Sequence, residues 1–164
     1  MTIVHLAWLI TSTSEAQPAP EPVSPADSFV GNWQMDWTRS KGMEELMKAQ
    51  GIPGFLVRLF SGARIQQAFT VSGLEWTVDK RLPIGKVQES WIIDGVARPM
   101  KSRRGNHELT ATWTAPDELT VVRTFEDQVV TERYRVVDAG LEVNVELNGK
   151  GETHAAIQRF RRVD

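Results

Sequence analysis

The sequence predicts an all-β fold, a sandwich or barrel of consecutive hairpins, and three observations carry that reading. After Ala63 the chain is a succession of short runs in which apolar and polar residues alternate, separated by turn residues roughly every eight to twelve positions. Helical spacing is confined to two short patches that precede those runs. Finally, 164 residues that are 41% hydrophobic and 24% charged have the length and composition of one domain with one core. With no cysteine, that core rests on apolar burial without disulfides, which fits a reducing compartment.

The domain is expected to span 28–164, with residues 1–27 read apart from it. The stretch TSTSEAQPAPEPVSPAD, 11–27, holds four of the eight prolines and no periodic apolar face, the composition of a disordered leader. Ile3 to Ile10 is apolar apart from His5 and long enough for the core of a secretory signal, but no Lys or Arg precedes it. A tail on a cytoplasmic domain and a cleaved signal both stay open. No run approaches the roughly 18 apolar residues of a membrane span.

From Phe29, FVGNWQMDW alternates Trp33, Met35 and Trp37 with polar residues, as a half-buried strand does. In KGMEELMKAQG, Met43, Leu46 and Met47 fall at i, i+3 and i+4, and Gly51 stops the helix. In IPGFLVRLFSG, Pro53 suits a first turn, Phe55, Leu56, Leu59 and Phe60 share one side, and Gly62 closes the element. The pair has the length of a DNA-reading helix-turn-helix, yet Arg58 is nearly alone as a cation on the second helix, which argues against that use.

The turns expected after Ala63 are Ser72-Gly73, Ile84-Gly85, Asp94-Gly95, Arg104-Gly105-Asn106, Pro116-Asp117, Glu126-Asp127, Ala139-Gly140 and Asn148-Gly149, the last with room for a wider loop through Lys150-Gly151. A two-residue turn at Ile84-Gly85 opposes Leu82 to Val87, Lys80 to Glu89, Val78 to Trp91 and Trp76 to Ile93, all on one face. An apolar face then carries a Lys and a Glu, either as a polar cluster inside a cavity or as a solvated cross-strand pair. The turn at Glu126-Asp127 opposes Leu119 to Tyr134, Val121 to Glu132 and Arg123 to Val130, with Arg123 and Glu132 diagonal neighbours. Inward charge without a partner costs several kcal/mol, so Arg123, Glu132 and the single Tyr point to a wet cavity or to an internal salt bridge.

FVGNW opening the strands, MEELMKAQGI immediately after, and VVDAGLEVNVELNG before a closing QRFRRV together resemble the intracellular fatty-acid-binding and retinoid-binding protein family over residues 29–163. The resemblance implies a ten-stranded antiparallel up-and-down barrel, lipocalin- or calycin-like, capped by the helix pair and holding a lipid without chemistry. It also implies that Met43, Leu46, Met47, Phe55 and Phe60 line a lid, and that Ile84, Trp76, Val78, Lys80, Val143 and Val145 join Arg123, Glu132, Tyr134, Gln158 and Phe160 around the ligand. Where fatty-acid binders clamp a carboxylate with an Arg-x-Tyr pair on the last strand and an Arg on the third strand from the end, this sequence has Gln158, Phe160 and Tyr134. Two cationic anchors are therefore missing. Gln followed by Phe is similar to the retinol-binding branch, whose ligand has a neutral head. The closing segment is about four residues longer than the family pattern, and a one-residue slip there turns Arg159 inward.

A long-chain fatty acid is thus the first expected ligand and a retinoid or other neutral lipid the second, with a secreted lipocalin-like carrier or a barrel-cavity isomerase as further classes. Three of the 21 acids precede residue 28 and all 19 Lys and Arg follow it, which leaves the domain near neutral and without a basic face for nucleic acid. Lys48, Arg58 and Arg64 near the helices suit transient contact with an anionic membrane. No P-loop, G-x-S-x-G, HExxH or EF-hand loop is present, and His5, His107 and His154 are scattered, as surface residues are. The expectation is a monomeric binding protein with no catalytic residues, metal or cofactor.

Overall fold

A computed structural model describes residues 24–102 and 104–163. The helical turn α1 (Pro25–Phe29) is followed by β1 (Gly31–Met35), α2 (Met43–Ala49) and α3 (Gly54–Phe60). Nine strands complete the chain: β2 (Gln66–Ser72), β3 (Glu75–Leu82), β4 (Gly85–Ile92), β5 (Arg98–Ser102), β6 (Gly105–Ala115), β7 (Glu118–Thr124), β8 (Gln128–Val137), β9 (Gly140–Gly149) and β10 (Glu152–Val163). They form one antiparallel sheet in the order β4-β3-β2-β1-β10-β9-β8-β7-β6-β5. Pairing of β1 with β10 joins the two ends of the chain, so the meander rolls up as an up-and-down barrel. Its edges β4 and β5 are not joined by a ladder; the nearest link is the isolated bridge from Ile93, just beyond β4, to Ala111 of β6.

Of the segment expected to be a leader, residues 1–23, including the apolar run, lie outside the described residues. Pro25, Ala26 and Asp27 belong to α1, and Phe29 ends that turn instead of starting a strand. The reason is packing. Phe29 is buried and its ring meets Trp76 at 5.5 Å, Trp113 at 5.8 Å and Phe69 at 6.3 Å between centroids. Trp33 Nε1 donates to the Phe29 carbonyl at 2.8 Å, and the Arg162 guanidinium donates to the Ser28 and Val30 carbonyls. α1 thereby stoppers the end of the barrel where β10 finishes. α2 covers the other end, bridged through Lys41 and Ile157. At Gly42 (φ +71°) the backbone runs so close that a Cβ would stand 2.4 Å from the Ala155 carbonyl oxygen.

The hairpin turned at Glu126-Asp127 has the expected register, Leu119 opposite Tyr134, Val121 opposite Glu132 and Arg123 opposite Val130. Pro116-Asp117 is likewise a turn between paired Ala115 and Glu118. Five other turns are displaced. Ser72 pairs with Glu75, Leu82 with Gly85, Val137 with Gly140 and Gly149 with Glu152, so the central residues are Gly73-Leu74, Pro83-Ile84, Asp138-Ala139 and Lys150-Gly151, and Ser102 pairs with Gly105, which places Gly105 and Asn106 in β6. In the hairpin of β3 and β4, Lys80 is consequently opposite Val87, Val78 opposite Glu89 and Trp76 opposite Trp91. A register displaced by two residues keeps every side chain on its own face, and Lys80 and Glu89 remain diagonal neighbours.

α2 buries Leu46 and Met47 as the spacing requires. On α3 the buried residues are Val57 and Phe60, whereas Phe55 is 71% and Leu59 50% exposed. A seven-residue helix lying over the barrel mouth has room to bury one narrow stripe, and Val57 with Phe60, three apart, take it beside Met47.

Candidate ligand-binding site

Side chains alternate along each strand, so inward positions can be followed from the α1 end to the α2 end. On β8 they run Tyr134, Glu132, Val130; on β7, Val121, Arg123, then Phe125 just beyond the strand; on β3, Trp76, Val78, Lys80, Leu82. The barrel is therefore filled in layers. The lower layer is aromatic and dry: Trp76, Trp91, Phe69 and Tyr134 are each at most 2% exposed, with Phe69 6.0 Å and Trp91 5.5 Å from Tyr134. Val143 and Phe160 are buried in the same core.

Above it lies a belt of charge. Arg123 donates from Nη1 to Glu132 and from Nη2 to Glu89 Oε2 at 2.7 Å. Tyr134 donates its hydroxyl to Glu132 Oε2 at 3.0 Å, Trp91 Nε1 donates to Glu89 Oε2 at 3.1 Å, and Lys80 Nζ stands 3.7 Å from Glu89. Two cations face two carboxylates, and the internal salt bridge is the reading that the geometry supports. Burial pushes the Glu89 carboxyl up, but Lys80 and Arg123 outweigh it and hold the pKa down at about 2. Burial acts on Glu132 in the same sense and Arg123 again prevails, lowering it. Burial and the adjoining Glu132 raise the Tyr134 hydroxyl well above its ordinary value. Arg123, for which burial is opposed by Glu132 and Glu89, is held protonated.

Between this belt and the helices is a cavity of about 290 Å³. Its apolar lining comes from Met43, Leu46 and Met47 on α2, with Val87, Phe125, Val130 and Val145 on the walls. Lys80, Glu89, Arg123, Glu132 and Gln158 supply its polar side, with Arg104 and His107 also in the lining. The volume is near the lower end of the roughly 300–1,000 Å³ typical of small-molecule pockets, because the aromatic layer occupies the rest of the barrel. A larger depression of about 630 Å³ is lined mainly by outward residues of β2 and β3, among them Gln66, Ala68, Asp79 and Arg81. Its polarity suits water better than an apolar guest.

The structure thus brings Met43, Leu46, Met47, Lys80, Arg123, Glu132, Val145 and Gln158 around one cavity, with Tyr134 hydrogen-bonded beneath it. Trp76, Val78, Val143 and Phe160 sit in the packed layer instead. Ile84 is 44% exposed at the centre of its turn, outside the cavity, since the displaced turn takes it off the strand. Phe55 is absent from the lining for the reason given above. Arg159 faces outward, paired with Glu142 at 2.9 Å, so the last strand does not slip. His107 is a correction: it is 8% exposed and stacks on Phe125 at 4.7 Å, because its strand position is inward. Sequence reasoning passed over Arg104, Phe125 and Val87 as members of the lining. Phe125 and Val87 have the parity of Arg123 and Glu89 on their own segments, which is signal enough, whereas Arg104 lies in a turn where alternation says nothing.

A barrel with a helix-covered internal void beside fixed polar groups is the architecture of small-molecule-binding barrels. The chain shares its fold with a fatty-acid-binding protein of Schistosoma mansoni in complex with arachidonic acid (TM-score 0.71, 16% identity, 85% of this chain and 99% of that one). It is similarly close to the zebrafish ileal bile-acid-binding protein complexed with cholic acid (0.67, 17%, 83% and 99%) and to fatty-acid-binding protein 1 of Echinococcus granulosus (0.70, 13%, 84% and 99%). At such identities the likeness is one of fold. No protein-family profile matches the sequence, and no curated protein sequence does.

Proposed function

We propose that this chain is a lipid carrier, holding a fatty acid or similar hydrophobic ligand non-covalently in the cavity under α2. The observation that carries the reading is that cavity itself: apolar walls, a hydrogen-bonded polar belt beneath and a short helical cover, in a fold whose solved members include complexes with arachidonic acid and cholic acid. Apolar burial supplies affinity and the polar groups supply orientation. The state of the belt supports binding over catalysis. Glu132 and Glu89 are held ionised and Tyr134 protonated, so none of them is poised to exchange a proton near neutral pH.

A neutral-headed ligand such as a retinoid is the second reading, favoured by one observation: both donor nitrogens named for Arg123 are engaged by protein carboxylates, while Gln158 faces the cavity uncharged. We place the protein in the cytoplasm as a monomer, in keeping with the absence of cysteine. Exposed Phe55 and Leu59, with Arg58 between them and Lys48 and Arg64 nearby, suit brief contact with an anionic membrane during transfer. Among the described residues no helix is long and apolar enough to cross a membrane. Native mass spectrometry of freshly purified protein, followed by organic extraction, tests the proposal. A stoichiometric fatty acid supports the first reading and a neutral lipid the second; an empty protein that also refuses a lipid panel rejects both.

A further inference from the structure

The cavity lining carries one formal charge that makes no ion pair among the described residues. Lys80 and Arg123 face Glu89 and Glu132, two against two, and those four form ion pairs with one another. Arg104, in the turn between β5 and β6, lines the same cavity and has no carboxylate within salt-bridge distance among the described residues. It is nonetheless held in place. Its guanidinium carbon lies 5.0 Å from the centroid of Phe125, whose ring also stacks on His107. Stacking of this kind leaves the in-plane N–H groups free to meet an anion in bidentate fashion. Burial and then the positive charge of Arg123 lower the Arg104 pKa, against the weaker opposing pull of Asp127 and Glu132.

We propose that Arg104 is the anion receptor of this site, so that an acidic lipid binds with its carboxylate at the rim and its chain directed inward between Met47, Val87, Val130 and Val145. This rests on the carrier reading and gives it a ligand class, a carboxylate-headed amphiphile, and an orientation. A carboxylate placed instead on Arg123 would compete with Glu89 and Glu132 for nitrogens they already occupy, and would add a third negative charge to a neutral belt.

Calorimetric titration with dodecanoate and with dodecanol separates the possibilities, using the wild-type chain, Arg104→Gln, Arg104→Lys and Lys101→Gln. Lys101 is an exposed cation of the same hairpin outside the cavity lining. Loss of a hydrogen-bonded charge partner should weaken dodecanoate about ten- to a hundredfold in Arg104→Gln and leave dodecanol within about twofold. Arg104→Lys should recover part of the loss, and Lys101→Gln should resemble wild type for both ligands. Wild-type binding of dodecanoate that survives Arg104→Gln, or equal losses for acid and alcohol, overturns the assignment while the carrier reading stands. Failure of the wild type to bind either ligand overturns the carrier reading and this assignment with it. Thermal melts of all four proteins exclude unfolding as the source of a loss.

Discussion

Arg123→Met removes the group that both belt carboxylates share. Its side chain is 10% exposed, and its partners Glu132 and Glu89 are 15% and 25% exposed, so the variant leaves two ionised groups with little water and, of the belt's cations, only Lys80. Breaking a buried pair from one side costs about 3–5 kcal/mol. For a domain of this size each kcal/mol moves the thermal midpoint by roughly 2–4 °C, so the midpoint at pH 7 should fall by about 10 °C. Urea denaturation should show the same loss in midpoint with an unchanged slope. Glu132→Leu added to Arg123→Met removes one stranded carboxylate and should restore part of the stability, a positive coupling that a double-mutant cycle measures. The reasoning fails if Arg123→Met unfolds within about 1 kcal/mol of wild type at pH 7, since the carboxylates would then have to be solvated and the belt open to water.

Acid should weaken the fold through Glu89, whose pKa is about 2 in the folded chain against an ordinary 4.5. A depressed carboxyl stabilises above its unfolded pKa and loses that contribution as pH falls toward the folded one. At about 1.4 kcal/mol per pH unit, about 3 kcal/mol should disappear between roughly pH 5 and pH 2, and Glu89→Gln should flatten that part of a urea-midpoint-versus-pH curve. Trp76→Ala should cost about 3–5 kcal/mol by emptying the aromatic layer, and should extend the longest fatty acid bound in a chain-length series. Gly42→Ala meets both a left-handed backbone and the Ala155 carbonyl; it should lower stability by more than about 1 kcal/mol and raise amide exchange in α2.

Alternation and turn chemistry, taken together, specified the hairpin at Glu126-Asp127 and hence the meeting of Arg123 with Glu132. Elsewhere glycine misled. Gly85, Gly140 and Gly149 look like turn centres, yet each is paired in a ladder. At Gly149 a Cβ would stand 2.8 Å from that of Gln128, and at Gly140 it would crowd the Phe160 carbonyl at 3.2 Å. The crowding excludes a Cβ at Gly149 without a shift and makes one tight at Gly140, while the left-handed turn beside Gly140 is made by Asp138 and Ala139 at φ 50° and 60°. Alternation also reports facing, not depth. Trp76, Lys80 and Leu82 look alike to a period-two pattern, and only the stopper formed by Phe29 decides that Trp76 is packed while Lys80 borders a void. That decision depends on contacts between residues 29, 69, 76 and 113, which no local pattern contains.

The seam between β4 and β5 gives the enclosure a mechanical character. Its wall is a rolled strip with two ends, tacked by the Ile93 bridge and the Gly95 amide hydrogen bond to Ala111 of β6, the strand next to the β5 edge, rather than a welded ring. Across it β4 is held to the far wall by the ion pair of Glu89 with Arg123 on β7, while the ladders run unbroken around the rest of the circumference. A guest larger than the resting void would have to part this seam, at the cost of the Glu89–Arg123 ion pair and the Gly95–Ala111 hydrogen bond but of none of the ladders.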